Sequence, residues 1–114
     1  MSANYCCCQT IANIGEQMTA WGTPQEVERR RRIMVSVWAY AYELASPPVS
    51  LVPDHIFDAE CYMLAAGLHI DTDRLDLDYW FRGSFDPSTG MWIHKHPELD
   101  KIERLYANKL FLQM

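Results

Sequence analysis

The stretch that decides the fold is TPQEVERRRRIMVSVWAYAYELASPP, residues 23–48. It opens on Thr23-Pro24-Gln25-Glu26. At this spacing the Thr23 hydroxyl can accept from the Glu26 amide while the Glu26 carboxylate accepts from the Thr23 amide. That is a capping box, with Pro24 at the first helical position. From there to about Leu44, the residues Val27, Met34, Trp38, Ala41, Tyr42 and Ala45 recur at helical spacing and predict one long helix with a continuous buried stripe. Ser46-Pro47-Pro48 ends it, because proline has no amide to donate and its ring clashes with the preceding turn.

Working outward, a connector through Val49-Ser50-Leu51-Val52 leads to a second helix from Pro53 or Asp54 to about Leu68. Its apolar face is Phe57, Cys61, Leu64 and Leu68, widened by Ile56 and Met63, and Gly67 and His69 mark its end. Asp71-Thr72-Asp73 is expected to cap a short helix that reaches about Arg82 and stops at Gly83. Asp86-Pro87-Ser88-Thr89-Gly90 reads as a turn. Met91-Trp92-Ile93 reads as an extended or irregular segment that packs inward. Pro97 opens a last helix with Leu99, Ile102, Leu105, Tyr106 and Leu110 on its apolar face. No segment alternates as a strand would. The expectation is an all-α, compact helical domain built on an antiparallel helical hairpin plus two shorter C-terminal helices. Residues 1–22 form a loose N-terminal tail in this reading, and residues 23–114 a single helical domain, with the hairpin at 23–69 and the C-terminal helices at 70–114.

A chain of 114 residues has room for one domain. Ten basic against fifteen acidic side chains leave a net charge of −5, which disfavours a general phosphate-backbone binder. No run approaches the roughly 18 apolar residues of a membrane span, and the start lacks the charged and apolar regions of a secretory signal, so a cytoplasmic protein is expected. Cys6, Cys7 and Cys8 stand together and Cys61 stands alone, which is a poor disulfide framework and offers no C-x-x-C pair. His94 and His96 are two apart and share a face only in extended structure, with no third ligand at a recognisable spacing, so no metal site is expected.

Arg29-Arg30-Arg31-Arg32 is the basic run. Consecutive helical residues are about 100° apart, so four in a row circle the helix and cannot form one phosphate-tracking stripe. A solvated turn paired in part with Glu26 and Glu28, with some side chains leaning over the apolar stripe, is the plain expectation. Local nucleic-acid or protein contact is the alternative.

Asp54-His55-Ile56-Phe57-Asp58 places two carboxylates at i and i+4 on one helix face beside an aromatic ring. Two acids and a ring can hold a planar, hydroxylated, cationic ligand, and they can equally be helix-start acids with Phe57 in the core. Here a resemblance enters. Residues 24–68, with Tyr40-Ala41-Tyr42-Glu43-Leu44 followed by Val52-Pro53-Asp54-His55-Ile56-Phe57-Asp58, resemble the N-terminal helical subdomain of bacterial NAD-dependent DNA ligases. The resemblance implies a module that grips the nicotinamide mononucleotide half of NAD, with Tyr42 and Phe57 as aromatic walls and Asp54 and Asp58 contacting ribose or amide groups. Glu43, the fifth binding position that the resemblance implies, stands where that family has His, and Phe57 stands where it has Tyr. The ligases' nucleophilic Lys-x-Asp-Gly motif has no counterpart, so no catalysis is expected. Thr89–Ile93 and His96–Asp100 also resemble the tail of small stand-alone ligase-related proteins of phages and mobile elements.

A second reading comes from charge. Between Asp54 and Asp86 there are eight carboxylates and only two arginines, Arg74 and Arg82. Asp73, Asp76 and Asp78, with an exposed Tyr79 or Trp80, could form an acidic surface over residues 71–86 aimed at a basic groove on a protein partner, as in a small anti-defence inhibitor. The bland alternative is a solvated face with helix-start acids.

Overall fold

A computed structural model describes residues 22–108. Among them are four α-helices, one 3-10 turn and no strand: α1 (Pro24–Glu43), α2 (Asp54–Ala66), α3 (Leu75–Ser84), the 3-10 turn Met91–Lys95 and α4 (Leu99–Ala107). The all-α class follows. The expected tail, Cys6, Cys7, Cys8 and Leu110 lie outside the described residues.

The capping box forms as the spacing requires. The Glu26 amide donates to Thr23 Oγ1 at 3.1 Å and the Thr23 amide to Glu26 Oε1 at 2.8 Å. α1 is the central element, and α2, the 3-10 turn and α4 all pack on it. The end of α2 lies against the start of α1, where Arg32 Nη2 donates to the Gly67 carbonyl at 3.0 Å. Farther along, Tyr42 and Glu43 at the end of α1 line one cavity with Asp54 and Asp58 at the start of α2. The two helices therefore run antiparallel, joined by the connector 44–53.

Of the stripe that the apolar spacing picks out, only Ala41 and Ala45 are buried. Val35, Ser36, Val37, Ala39 and Ala41 are buried, and so are Glu28 and Arg32. Val27, Met34 and Trp38 are only half-buried, and Tyr42 is 59% exposed. The reason is that elements pack on α1 from several sides, and one of those sides is lined by ions that satisfy each other. On α2, Cys61 and Leu64 are buried and Phe57 and Leu68 half-buried, while Ile56 and Met63 face outward and do not widen the core.

Arg32 is the hub. Its Nε donates to Glu28 Oε2 at 3.1 Å and its Nη1 to Asp78 Oδ1 at 2.6 Å. Its Nη2 reaches the carbonyls of Gly67 at 3.0 Å and Ile70 at 3.3 Å. The guanidinium also lies 5.7 Å from the Phe81 ring centroid. One side chain thereby joins α1, the end of α2 and α3. Asp78 is completed by the Thr72 amide and hydroxyl, each at 2.7 Å, and Glu28 by Arg31 at 3.2 Å. Gly67 has to be glycine for a steric reason, since a Cβ there would overlap the Glu28 carboxylate.

The Asp71-Thr72-Asp73 cap is corrected by this network. α3 starts later, at Leu75, with Arg74 preceding it and no side chain capping its first turn. Thr72 is instead spent on Asp78 and on the Arg74 amide, to which its Oγ1 is the acceptor at 3.1 Å. Gly83 does not end α3, which runs one residue further to Ser84. The expected turn at Asp86 is present, with the Ser88 amide donating to Asp86 Oδ1 at 2.9 Å. Met91–Lys95 is a 3-10 turn rather than extended; Trp92 and Ile93 pack inward and Met91 does not. Trp80, Phe81, Phe85 and Trp92 form one aromatic cluster, with the Phe85 and Trp92 rings 4.9 Å apart.

His96 closes this cluster, its ring 5.1 Å from Trp80. Nδ1 accepts from the Glu98 amide at 3.0 Å, which leaves the proton of the neutral ring on Nε2. Burial pushes its pKa down to about 4. The unfolded chain therefore binds a proton in the window from 6.5 down to about 4 that the folded chain refuses. Stability is full above 6.5 and falls as pH drops through that window, by about 1 kcal/mol per pH unit. Urea midpoints at pH 7 and 4.5 will show a drop that His96→Asn, which keeps an acceptor for the Glu98 amide, makes smaller.

Arg32→Met is expected to cost about 3–5 kcal/mol, because it strands two buried carboxylates rather than removing a neutral contact. Urea denaturation measures it. A loss under 1 kcal/mol would mean that the network contributes little.

Candidate functional site

The C-terminal end of α1 and the N-terminal turn of α2 face each other across a cavity of about 280 Å³. Tyr42, Glu43, Asp54, Phe57 and Asp58, the five residues singled out for nicotinamide binding, all line it. The antiparallel hairpin accounts for this, since it sets the last turn of one helix against the first turn of the next. Trp38, Leu51 and Val52 supply apolar wall. Asp54 and Asp58 are exposed at its mouth, Phe57 is half-buried, and the exposed Tyr42 stands on the rim.

The far wall was not foreseen. Thr89 and Gly90, from the turn before the 3-10 element, close the cavity. A Cβ on Gly90 would sit 3.6 Å from Glu43 Cγ and 3.7 Å from the Phe57 ring, so this turn brings the Glu43 carboxylate and the ring edge to one place. Its sequence signal is the Thr89-Gly90-Met91-Trp92-Ile93 string, which reads as a turn and an inward segment and is tied to the hairpin only by the resemblance, with no contact to residues 42–58 expected. Glu43 is also 3.8 Å from His94 Nε2. Asp58 and Glu60 add to burial in raising the Cys61 thiol to about 12, so Cys61 is an inert core thiol.

The acidic surface over 71–86 is changed by the fold. Asp78 is fully buried under Arg32 and is withdrawn from any partner surface, because the guanidinium needs its carboxylate. Asp73 lies 3.5 Å from Arg29, and Asp76 2.9 Å from Arg74. The hydrogen bond from Arg74 holds the Asp76 pKa below the usual carboxylate range. Tyr79 is 67% exposed, with the Arg82 guanidinium 5.8 Å from its ring centroid, whereas Trp80 packs on the core. Arg82 pairs with Asp71 at 2.5 Å.

The arginine run is likewise divided. Arg32 is buried, Arg31 is held between Glu28 and Glu60, and Arg29 faces outward beside Asp73. The expectation of a solvated turn fails at Arg32, and the partner of Arg31 and Arg32 is Glu28, while Glu26 serves the cap. No group of three or more potential metal ligands occurs among the described residues, and no helix among them is long and apolar enough to cross a membrane.

A second cavity, of about 210 Å³, lies between α1, α3 and α4. Ile33, Leu77, Phe81 and Ile102 line its floor and Arg29, Arg74 and Lys101 its edge. Arg74 there is bidentate to Glu98, at 2.7 and 3.3 Å, and this pairing holds the Glu98 carboxyl below its ordinary pKa. These ions tie the start of α3 to the start of α4.

No protein-family model, curated protein or solved structure matches the chain.

The backbone at Gly90 (φ −98°, ψ 3°) lies outside the left-handed region that favours glycine, and its Cβ position is in ordinary contact. Gly90→Val is therefore expected to leave the thermal midpoint within a few degrees of the parent while its added methyls fill the cavity. Scanning calorimetry on the same variant checks that the fold is retained.

Proposed function

We propose that this chain is a non-catalytic recognition module that holds the nicotinamide–ribose part of a pyridine nucleotide. The observation that carries the reading is the convergence of Tyr42, Glu43, Asp54, Phe57 and Asp58, with Gly90, on one cavity. Each group has a chemical task there. Phe57 offers a ring face or edge to a planar ring, and Tyr42 covers it from the rim. Asp54 and Asp58 accept from ribose hydroxyls or a carboxamide. The volume of about 280 Å³ lies just below the range of small-molecule sites, roughly 300–1,000 Å³. That size suits one ring and its sugar and leaves the adenosine half of a dinucleotide outside.

The acidic-inhibitor reading has less support. Of its four residues, Asp78 is buried, and Asp73 and Asp76, though as exposed as Tyr79, face arginines of the same chain.

Calorimetry tests the nucleotide reading with nicotinamide riboside, nicotinamide mononucleotide and NAD. Binding in the micromolar to millimolar range is expected, and Asp54→Ala or Asp58→Ala will weaken it at least about tenfold, the cost of roughly one charge-assisted hydrogen bond. Absence of heat with all three ligands at millimolar concentration rejects it.

A further inference from the structure

Glu43, Asp54 and Asp58 all line the cavity between α1 and α2, and no lysine, arginine or histidine among the described residues lines it. Asp54 and Asp58 enter no ion pair with another described residue. Glu43 has His94 at 3.8 Å, beyond hydrogen-bond distance. The positive end of the α2 dipole points toward this place, but Asp54 in its first turn already offsets it. The Ile56 and Phe57 amides are spent on the Pro53 carbonyl at 3.0 and 3.1 Å. The site therefore presents up to three negative charges around an aromatic wall, with no basic side chain in its lining and His94 beside Glu43 just outside it.

We propose that the cavity selects a phosphate-free aromatic cation, a pyridinium nucleoside in preference to its 5′-phosphate. The proposal rests on the nicotinamide reading above and names the ligand class within it. A quaternary pyridinium ring carries +1 into the cavity, where the Glu43 carboxylate and the Phe57 ring stand together around Gly90. Both attract it, the first by charge and the second through its quadrupole. The ribose hydroxyls donate to Asp54 and Asp58. A 5′-phosphate adds up to two negative charges to a site that already holds three carboxylates, so repulsion opposes it.

The test is titration calorimetry with nicotinamide riboside, nicotinamide mononucleotide and neutral nicotinamide, at two ionic strengths. The riboside is expected to bind at least about tenfold tighter than the mononucleotide at low salt, and the gap will shrink at high salt because exposed charges are screened. The riboside will also bind tighter than nicotinamide. Glu43→Gln, whose folding is checked by circular dichroism, will narrow the riboside-to-mononucleotide ratio severalfold. A mononucleotide that binds as tightly as the riboside, or tighter, overturns the selection for a phosphate-free cation while leaving the nicotinamide reading standing. A riboside no tighter than nicotinamide overturns it as well. If none of the three binds, both readings fall.

Discussion

A guanidinium in the interior is tolerable only if every nearby carboxylate and carbonyl is held in place for it. Arg32 meets that condition with Glu28, Asp78 and two carbonyls at the end of α2. The consequence is registry. α1, the end of α2 and α3 cannot slide past one another without leaving a charge buried and unpaired, at a cost of several kcal/mol. Apolar packing alone penalises such slips far less, because hydrophobic contact has no direction. The lack of a side chain at Gly67 belongs to the same constraint, since that is where the Glu28 carboxylate sits.

The two ends of the hairpin are opposite in character. At one, five charged side chains (Glu28, Arg31, Arg32, Glu60 and Asp78) all pair with one another and fill the space. At the other, three carboxylates surround a cavity without a basic side chain in its lining. A rigid, self-satisfied end supports an end whose polar groups remain available. In the same way Arg74, gripping both Asp76 and Glu98, ties the start of α3 to the start of α4. The turn carrying Gly90 is then held where it can close the cavity, with Trp92 and Ile93 buried just after it.

Much of the helix layout was legible in the chain. The Thr23–Glu26 cap, the Ser46-Pro47-Pro48 stop and the end of α2 at Gly67 are local signals, and each acts within a few residues of itself. The buried face of α1 was not legible from apolar spacing, because Glu28 and Arg32 are polar and Tyr42 is apolar enough to look buried. Asp78 was read as a surface acid for a related reason. Nothing near it in sequence announces a partner 46 residues away. The five cavity residues were grouped by their sequence pattern, but Gly90 and Thr89 were missed, since a turn carries no mark of which distant helices it touches.

By itself, then, the order of residues determined what local physics can settle: where helices begin and stop, that no strand competes, and that acids gather in the middle of the chain. Which charges become interior and which stay open was decided only by the tertiary structure. Burial depends on what arrives from elsewhere in the chain, and a buried arginine is stable or ruinous according to whether its acceptors arrive with it. The same dependence holds at the cavity, which exists because a turn some thirty residues downstream closes what two helix ends leave open.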